Sequence, residues 1–402
     1  MKIAVIGGGP SGLYLAILVK RRQPQAHIVV IEQNQADSTF GFGVVLADSG
    51  LHRLKAADEQ VHQALIARMN FNDTQIIQVH ETPIELTHPA KGGAIARIDL
   101  LHVLQKIAKE LGIDVRHGVR IEHPDDLVGM GWGDADIVVG ADGVNSVVRT
   151  AHEQAFGATR STLTNHFAWF GTSKVFDQSA LVFRQWKGGT FVAHYYAYAQ
   201  SGSTFVAECD HATWEHLKME EMSDAQRQTL CETIFAAELQ GHGLTSNHSV
   251  WRQFPLIQTQ QWHVGNRVLI GDAQTSAHFS IGSGTRIAME DAIALAEALT
   301  FPGDSSNPAP TPIDRLQRFA KLRGPEKEKL LGASRMSYMW YENMGQWVKQ
   351  HPPLEFVYAF MTRTGRMNNT RLSQQYASLY EKWVSMGLAP GISHSATLEP
   401  NT

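Results

Sequence analysis

Four short apolar runs stand out along the chain: Ile3 to Ile6, Ile28 to Ile31, Ile137 to Val139 and Val268 to Ile270. Their length and β-branched content predict buried parallel strands. Each run ends at a glycine or an acidic residue, and ligands of open α/β sheets sit at the carboxyl ends of the strands. Leu13, Leu15, Ala16, Leu18 and Val19 recur at helical spacing and predict a helix over 13–22. Further helices are predicted over 100–111 and 286–299, the last with Ile287, Ala288, Ile293, Leu295 and Leu299 as its apolar face. Between about 165 and 210 the pattern changes to aromatic and β-branched runs, which predict an inserted, mainly antiparallel sheet. In the run 190–198, alternation puts His194, Tyr196 and Tyr198 on one face. Residues 301–313 read as a loop, 314–384 as helical and rich in Trp, Tyr and Met, and those from about 388 as poorly ordered.

Composition removes several classes of function. Of 402 residues, 43% are hydrophobic and 18% charged, an ordinary globular balance, and the length suits two or three domains. A net charge of -4 gives no basic footprint, so no nucleic-acid partner is expected. No run of eighteen or more apolar residues exists, so no membrane span is expected. The chain enters a strand at once, leaving no room for a cleavable leader, and its two cysteines, Cys209 and Cys231, form neither a redox pair nor a disulfide framework. A cytoplasmic setting follows as the expectation. The nineteen histidines show no metal-ligand spacing, so no metal is expected.

The first chemical motif is Gly7-Gly8-Gly9-Pro10-Ser11-Gly12, which satisfies G-x-G-x-x-G at Gly7, Gly9 and Gly12. Glycine there serves the tight turn, the close approach of a pyrophosphate and the packing of helix on strand, while the helix N-terminus faces the phosphates. Twenty residues after Gly12 comes Glu32, where a carboxylate accepts hydrogen bonds from an adenosine ribose and disfavours a 2′-phosphate. Glycines alone could make a turn that binds nothing. The succession of strand, glycines, helix, strand and Glu32 points instead to a dinucleotide.

Two further motifs follow: Asp134-Ala-Asp-Ile-Val-Val-Gly-Ala-Asp142-Gly143, and Gly265-Asn-Arg-Val-Leu-Ile-Gly271-Asp272-Ala273 continuing into His278-Phe-Ser-Ile-Gly282-Ser283-Gly284. In this order and spacing the three resemble the FAD-dependent aromatic hydroxylases related to p-hydroxybenzoate hydroxylase, over roughly residues 1 to 300. The resemblance implies a Rossmann-like FAD-binding domain at 1–160 and 256–300, a substrate-binding sheet inserted at 161–255, and a helical C-terminal region at 314–384. It implies non-covalent FAD held by Gly7, Gly9, Pro10, Ser11, Gly12, Glu32, Gln33, Gly43, Val44, Arg97, Asp142, Gly271, Asp272, Gly282, Ser283 and Gly284. Asp272 would meet the ribityl chain, and the backbone around Gly282 and Gly284 the flavin pyrimidine ring, stabilising negative charge there. The plainer reading of Arg97 is a surface arginine before a helix, and that of Asp142 a strand-ending turn.

The implied reaction uses NAD(P)H as a transient electron donor and O2 as co-substrate, with ring hydroxylation through a flavin C4a-hydroperoxide. No second G-x-G-x-x-G is present, so the nicotinamide would bind in a surface groove. His278, His194 and Tyr196 are the candidate catalytic residues; a structural hydrogen bond or simple packing is the alternative for each. Phe279 and Arg286 depart from the family's usual proline and asparagine. With Phe40-Gly-Phe-Gly-Val-Val and Trp169-Phe-Gly-Thr they resemble a narrower branch, which contains salicylyl-CoA 5-hydroxylase, 2-aminobenzoyl-CoA monooxygenase and the tryptophan-derivative hydroxylase of violacein synthesis. The expected substrate is thus an aromatic acyl-CoA thioester such as salicylyl-CoA, or alternatively an indole or tryptophan-derived compound. Trp340, Tyr341, Trp347 and Trp383 suit helix packing or a dimer face, and either a monomer or a homodimer is open. Arg363, Arg366 and Arg371 suit a solvated helix face or CoA phosphates. A flavin reductase that never activates O2, and a non-catalytic FAD-binding sensor, are the rival readings.

Overall fold

Lys2–Ile6 lies inside a six-stranded sheet ordered His263–Val264, Arg267–Leu269, Ile137–Gly140, Lys2–Ile6, His27–Glu32, Asp114–His117 among the described residues. The computed structural model describes residues 1–247, 249–303 and 309–391. His248, part of the expected loop (304–308) and most of the tail expected to be poorly ordered (392–402) lie outside the described residues. Five strands run parallel, with Ile3 in register with both Ile28 and Ile137; His263–Val264 pairs antiparallel at the edge. Helices Pro10–Arg22, Arg97–Glu110 and Gly284–Thr300 cover one face and share a core with Val5, Val30, Ile137 and Val139. The opening helix starts three residues before the apolar spacing implies. Gly9 is its N-cap and Pro10 its first residue, where a fixed φ and a missing N–H cost nothing.

The second sheet is larger than the expected insertion. Nine strands make it up among the described residues: Leu244–Ser246, Thr159–Thr172, Gly202–Cys209, Gly189–Ala199, Ser179–Trp186, Asn70–Val79, Thr82–Ala96 and Gly43–Leu46 in order, with Arg252–Gln258 added on Thr159–Thr172. It is antiparallel except where Asn70–Val79 runs parallel to Ser179–Trp186. Three of its strands therefore come from residues 43–96, outside 161–255, and Arg252–Gln258 straddles the expected boundary at 255. Pro83, Pro89 and the Gly92-Gly93 pair punctuate the longest of these strands and disguise it as loop.

Alternation gives this sheet two different faces. Phe205, Ala207, Ala193 and Tyr195 point to one side and pack under Trp214, Ile234 and Phe235 of the segment 211–239. Val192, Phe183, Leu181 and Ile77 point to the other, where the C-terminal helices supply Tyr341, Phe356, Phe360 and Trp383. The helical expectation for 314–384 thus appears as Pro312–Tyr341, Met344–Gln350, Pro353–Thr362, Asn369–Gln375 and Ala377–Ser385. Most of the C-terminal aromatics are packing. Trp383 is buried with its indole N–H on the Leu354 carbonyl at 2.8 Å, and that of Trp347 is on the Trp340 carbonyl at 3.1 Å.

Candidate functional site

The three motif glycines do three separate jobs. A Cβ on Gly12 would land on the Gly7 carbonyl oxygen, so that glycine lets helix Pro10–Arg22 pass tight over the turn. Gly7 adopts φ 110° and lies against Ala141, leaving no room for a side chain and none for an L-residue's preferred backbone. A Cβ on Gly9 would meet nothing within 4 Å, and its φ is an ordinary -73°. Gly9 is thus required neither by packing nor by dihedral; its bareness leaves approach to the helix N-terminus open, as a pyrophosphate demands.

Glu32, closing strand His27–Glu32, is oriented before any ligand arrives. Its Oε2 accepts the Gly8 N–H at 2.7 Å, and its Oε1 accepts the Asn34 backbone and side-chain N–H groups at 2.8 and 2.7 Å. Oε2, which accepts only one of these bonds, keeps a further lone pair for a ribose hydroxyl. Gln33 is exposed beside it. Arg97 opens helix Arg97–Glu110 and is drawn close enough to Glu32 and Asp272 for both carboxylates to oppose the effect of burial, which lowers its pKa. Its Nε is buried without a partner. The side chain is therefore partly enclosed between the Glu32 and Asp272 turns, within electrostatic range of both.

Asp272 keeps contact with solvent, yet enough protein surrounds it that desolvation raises its pKa, opposed by Arg97 and Lys327. That combination marks the floor of a cleft. Asp142 has a similar character: burial raises its pKa, Oδ2 accepts the Val147 N–H at 2.7 Å, and Oδ1 is buried with no partner. Arg149 pins this turn to the Asp272 turn by donating to the Ala273 carbonyl at 2.8 Å and to the Val144 carbonyl.

The loop before helix Gly284–Thr300 is held from behind. Gly271 N–H donates to Asp291 Oδ2 at 3.0 Å, the same oxygen that receives Lys327 Nζ, and Arg323 Nε reaches Asp291 Oδ1 at 2.9 Å. Arg323 also donates to Glu290 Oε2 at 2.9 Å, and Lys327 to Gln274 Oε1. Two helices are thus locked together by buried charge directly beneath the Gly271–Ala273 turn. Gly282, at φ 58°, ends the single 3-10 turn Phe279–Ile281 in a conformation that favours glycine, with open space where a Cβ would stand. Ser283 Oγ donates to the Ile281 carbonyl at 3.0 Å, and Gly284 begins the helix.

His278 caps that turn: its Nδ1 accepts the Ser280 N–H at 3.2 Å, and its own N–H is held by Ser334 Oγ at 3.2 Å. At 2% exposure, burial first and the neighbouring His194 second push its pKa down to about 3, so it is neutral at physiological pH. Arg363, a candidate for phosphate contact, spends its donors inside the fold on Ser337 Oγ (3.0 Å), the Phe360 carbonyl (2.6 Å) and the Ser280 carbonyl (3.1 Å). It is neither a solvated side chain nor a free phosphate donor. Arg366 and Arg371 are exposed.

The sheet face that carries His194 and Tyr196 meets this loop. Phe279 lies against Phe167 (ring centroids 4.8 Å), His194 (5.6 Å), Trp169 (6.1 Å) and Phe254 (6.1 Å). Tyr341 from the long helix stacks on His194 at 5.4 Å. Tyr196 is used differently: its hydroxyl donates to the Gly43 carbonyl at 2.8 Å, and burial raises its pKa. Gly43 N–H donates to Thr204 Oγ1 at 2.9 Å, and a Cβ there would lie 2.6 Å from Tyr198 Cβ. Gly43 and Val44, at the start of strand Gly43–Leu46, are thereby fixed to the sheet. Sequence reasoning missed Glu208 and Asn165, which lie beneath His194 on the same face. The available signal was one carboxylate ending an apolar strand.

An open backbone at Gly9, the unpartnered Arg97 Nε and Asp142 Oδ1, and the recessed Asp272 fit an extended dinucleotide lying from the glycine turn to the Gly282 loop. Among the described residues no helix is long and apolar enough to cross a membrane.

Comparison with known proteins agrees with that fit. Residues 1–303 match the FAD binding domain family. The chain is 37% identical to salicyloyl-CoA 5-hydroxylase of a Streptomyces species, across 90% of this chain and 70% of that protein. It is 34% identical to protodeoxyviolaceinate monooxygenase of Chromobacterium violaceum across 90% and 94% of the two chains. Over 86% of this chain and 90% of the other it is 32% identical to a 3-hydroxy-4-methyl-anthranilyl-[aryl-carrier protein] 5-monooxygenase of Streptosporangium sibiricum. The fold is shared with 2-methyl-3-hydroxypyridine-5-carboxylic acid oxygenase at TM-score 0.68 and 18% identity, over 91% of this chain and 98% of that one.

Proposed function

This chain belongs to the FAD binding domain family, and from that premise we propose that it is an FAD-dependent monooxygenase that hydroxylates the ring of an aromatic acyl-CoA thioester such as salicylyl-CoA. The carrying observation is the aromatic enclosure of Phe167, Trp169, His194, Phe279 and Tyr341, built directly on the loop that leads into Gly282 and Gly284. Bound FAD, supplied with electrons by NAD(P)H, would provide an electrophilic oxygen derived from O2. The Gly7–Gly12 turn and helix N-terminus would hold its diphosphate, Glu32 its adenosine ribose, and Arg97, Asp142 and Asp272 the stretch between. Backbone N–H groups near Gly282 and Gly284 would face the flavin ring, where fixed donors favour negative charge. The aromatic enclosure would hold the substrate ring and exclude water. The thioester reading takes support from the relatives that act on a CoA ester and on a carrier-protein ester. The enzyme would work in the cytoplasm as a monomer or homodimer.

An indole-derived substrate is a second reading, favoured by a match that spans 94% of the violacein-pathway monooxygenase. The test is purified FAD-loaded protein with NADH or NADPH and three panels: aromatic acids, their CoA thioesters, and indole compounds. Substrate-stimulated oxidation of the nicotinamide with a product heavier by one oxygen is expected for the thioesters. That product from indoles alone would select the second reading. Bound flavin with no substrate-stimulated oxidation in any panel would overturn both and leave a non-catalytic sensor.

A further inference from the structure

Glu208 is a carboxylate at 1% exposure on the face that bears the aromatic enclosure. Such a group is costly to bury unless it is paired and hydrogen-bonded. Its Oε1 accepts Asn165 Nδ2 at 3.0 Å. Asn165 is itself fixed, donating Nδ2 to the Tyr341 carbonyl at 2.9 Å and its backbone N–H to Glu342 Oε1 at 3.1 Å. The second oxygen, Oε2, lies at ion-pair distance from His194 Nε2, 3.3 Å, without the alignment of a hydrogen bond, and both atoms are buried with no hydrogen-bond partner. The contact is favourable when Nε2 carries the hydrogen, which leaves the lone pair of the neutral ring on Nδ1. No hydrogen-bond partner for Nδ1 is found among the described residues. The His194 ring stands in edge contact with Phe279 and stacks on Tyr341, beside the loop that leads to Gly282.

We propose that His194 and Glu208 form a proton-accepting dyad for a hydroxyl group on the substrate ring, with His194 the catalytic base and Glu208 the residue that positions it. The substrate O–H bond breaks, the proton passes to His194 Nδ1, and the electron pair stays on the ring oxygen. The Glu208 carboxylate balances the imidazolium so formed. Charge released into the ring makes the carbons ortho and para to that oxygen better nucleophiles toward an electrophilic oxygen. After oxygen transfer the attacked carbon gives up its hydrogen as a proton to solvent, restoring aromaticity, and the dyad returns its own proton to the ring oxygen. The substrate class is accordingly a hydroxyaryl compound rather than an unsubstituted ring. The inference rests on the ring-hydroxylation reading above.

The test uses FAD-loaded wild-type, Glu208→Gln and His194→Gln protein with salicylyl-CoA and ring-substituted salicylyl thioesters of graded phenol acidity. Wild type should bind the thioester with phenolate absorption and turn over the series at similar rates. Both variants should bind the phenol form and lose about 10²-fold in kcat, in the range of general-base contributions, with FAD content and melting temperature unchanged. That loss should shrink steadily as the phenol becomes more acidic, a recovery that a merely structural defect would not produce. A uniform loss across the series, or unchanged phenolate absorption in the variants, overturns the dyad. Hydroxylation by wild type of indoles or unhydroxylated rings alone overturns the dyad and leaves ring hydroxylation standing, whereas no hydroxylation of any ring overturns both.

Discussion

Lys327 meets Asp291 across 2.6 Å with both side chains wholly removed from water. The pair lies under the Gly271 N–H, so charge from the C-terminal third of the chain fixes a turn of the cofactor cleft. Removing one partner strands the other, and breaking a buried ion pair in this way costs about 3–5 kcal/mol. Lys327→Met should lower the unfolding free energy by about that amount and weaken FAD retention, read by urea titration and flavin fluorescence. Pairing it with Asp291→Asn should cost less than the sum of the single changes. A loss under about 1 kcal/mol in the single variant would count against the pair as a support.

Two alanine substitutions three residues apart should have opposite outcomes. Gly12→Ala puts a methyl onto the Gly7 carbonyl oxygen and should prevent the first domain from folding. Gly9→Ala meets no protein atom within 4 Å and suits its φ of -73°. Its apo stability should stay within about 0.5 kcal/mol of wild type, while FAD affinity falls by about tenfold or more. Equal melting temperatures and equal FAD affinity in Gly9→Ala would refute the pyrophosphate assignment.

His278 predicts a pH dependence. Burial holds its pKa near 3, against an ordinary 6.5. From pH 6.5 downward the unfolded chain binds a proton at this site that the folded chain refuses. Stability is therefore lost as pH falls, at about 1.4 kcal/mol per pH unit until about pH 3. His278→Asn has no such proton to bind. The stability difference between wild type and variant should move by about 2 kcal/mol in the variant's favour between pH 7 and pH 5. Parallel pH profiles would exclude a buried neutral histidine.

Phe279 closes the enclosure against Phe167, His194 and Trp169. Phe279→Ala opens that face to water, which competes with productive oxygen transfer. Nicotinamide oxidation should continue while product per nicotinamide falls and hydrogen peroxide rises, measured together in one assay. Full coupling in the variant would show that the ring does not shield the reaction.

What the sequence disclosed and what it withheld divide along the range of the interactions. The glycine turn, Glu32 and the Asp272 turn are local patterns in which a few adjacent residues dictate the backbone, so they were legible. The strand Thr82–Ala96 was not, because two prolines and two glycines interrupt it and one of its two partners, Gly43–Leu46, is remote in sequence. Glu208 draws its meaning from Asn165, brought beside it only when the distant strand Thr159–Thr172 pairs with Gly202–Cys209, and from His194, set diagonally across the hairpin with Gly189–Ala199. Arg363 could not be placed from spacing either, since the carbonyl of Ser280 that captures it lies 83 residues away.

The buried ion lock also says where this chain cannot be cut and joined. A chimera that exchanged everything after residue 303 would remove Arg323 and Lys327, and a replacement helix without cations at those places would leave Glu290 and Asp291 uncompensated under the cleft. Residues 284–300 and 312–341 are thus one inheritable unit, and recombination within the family would have to carry both halves or repair both.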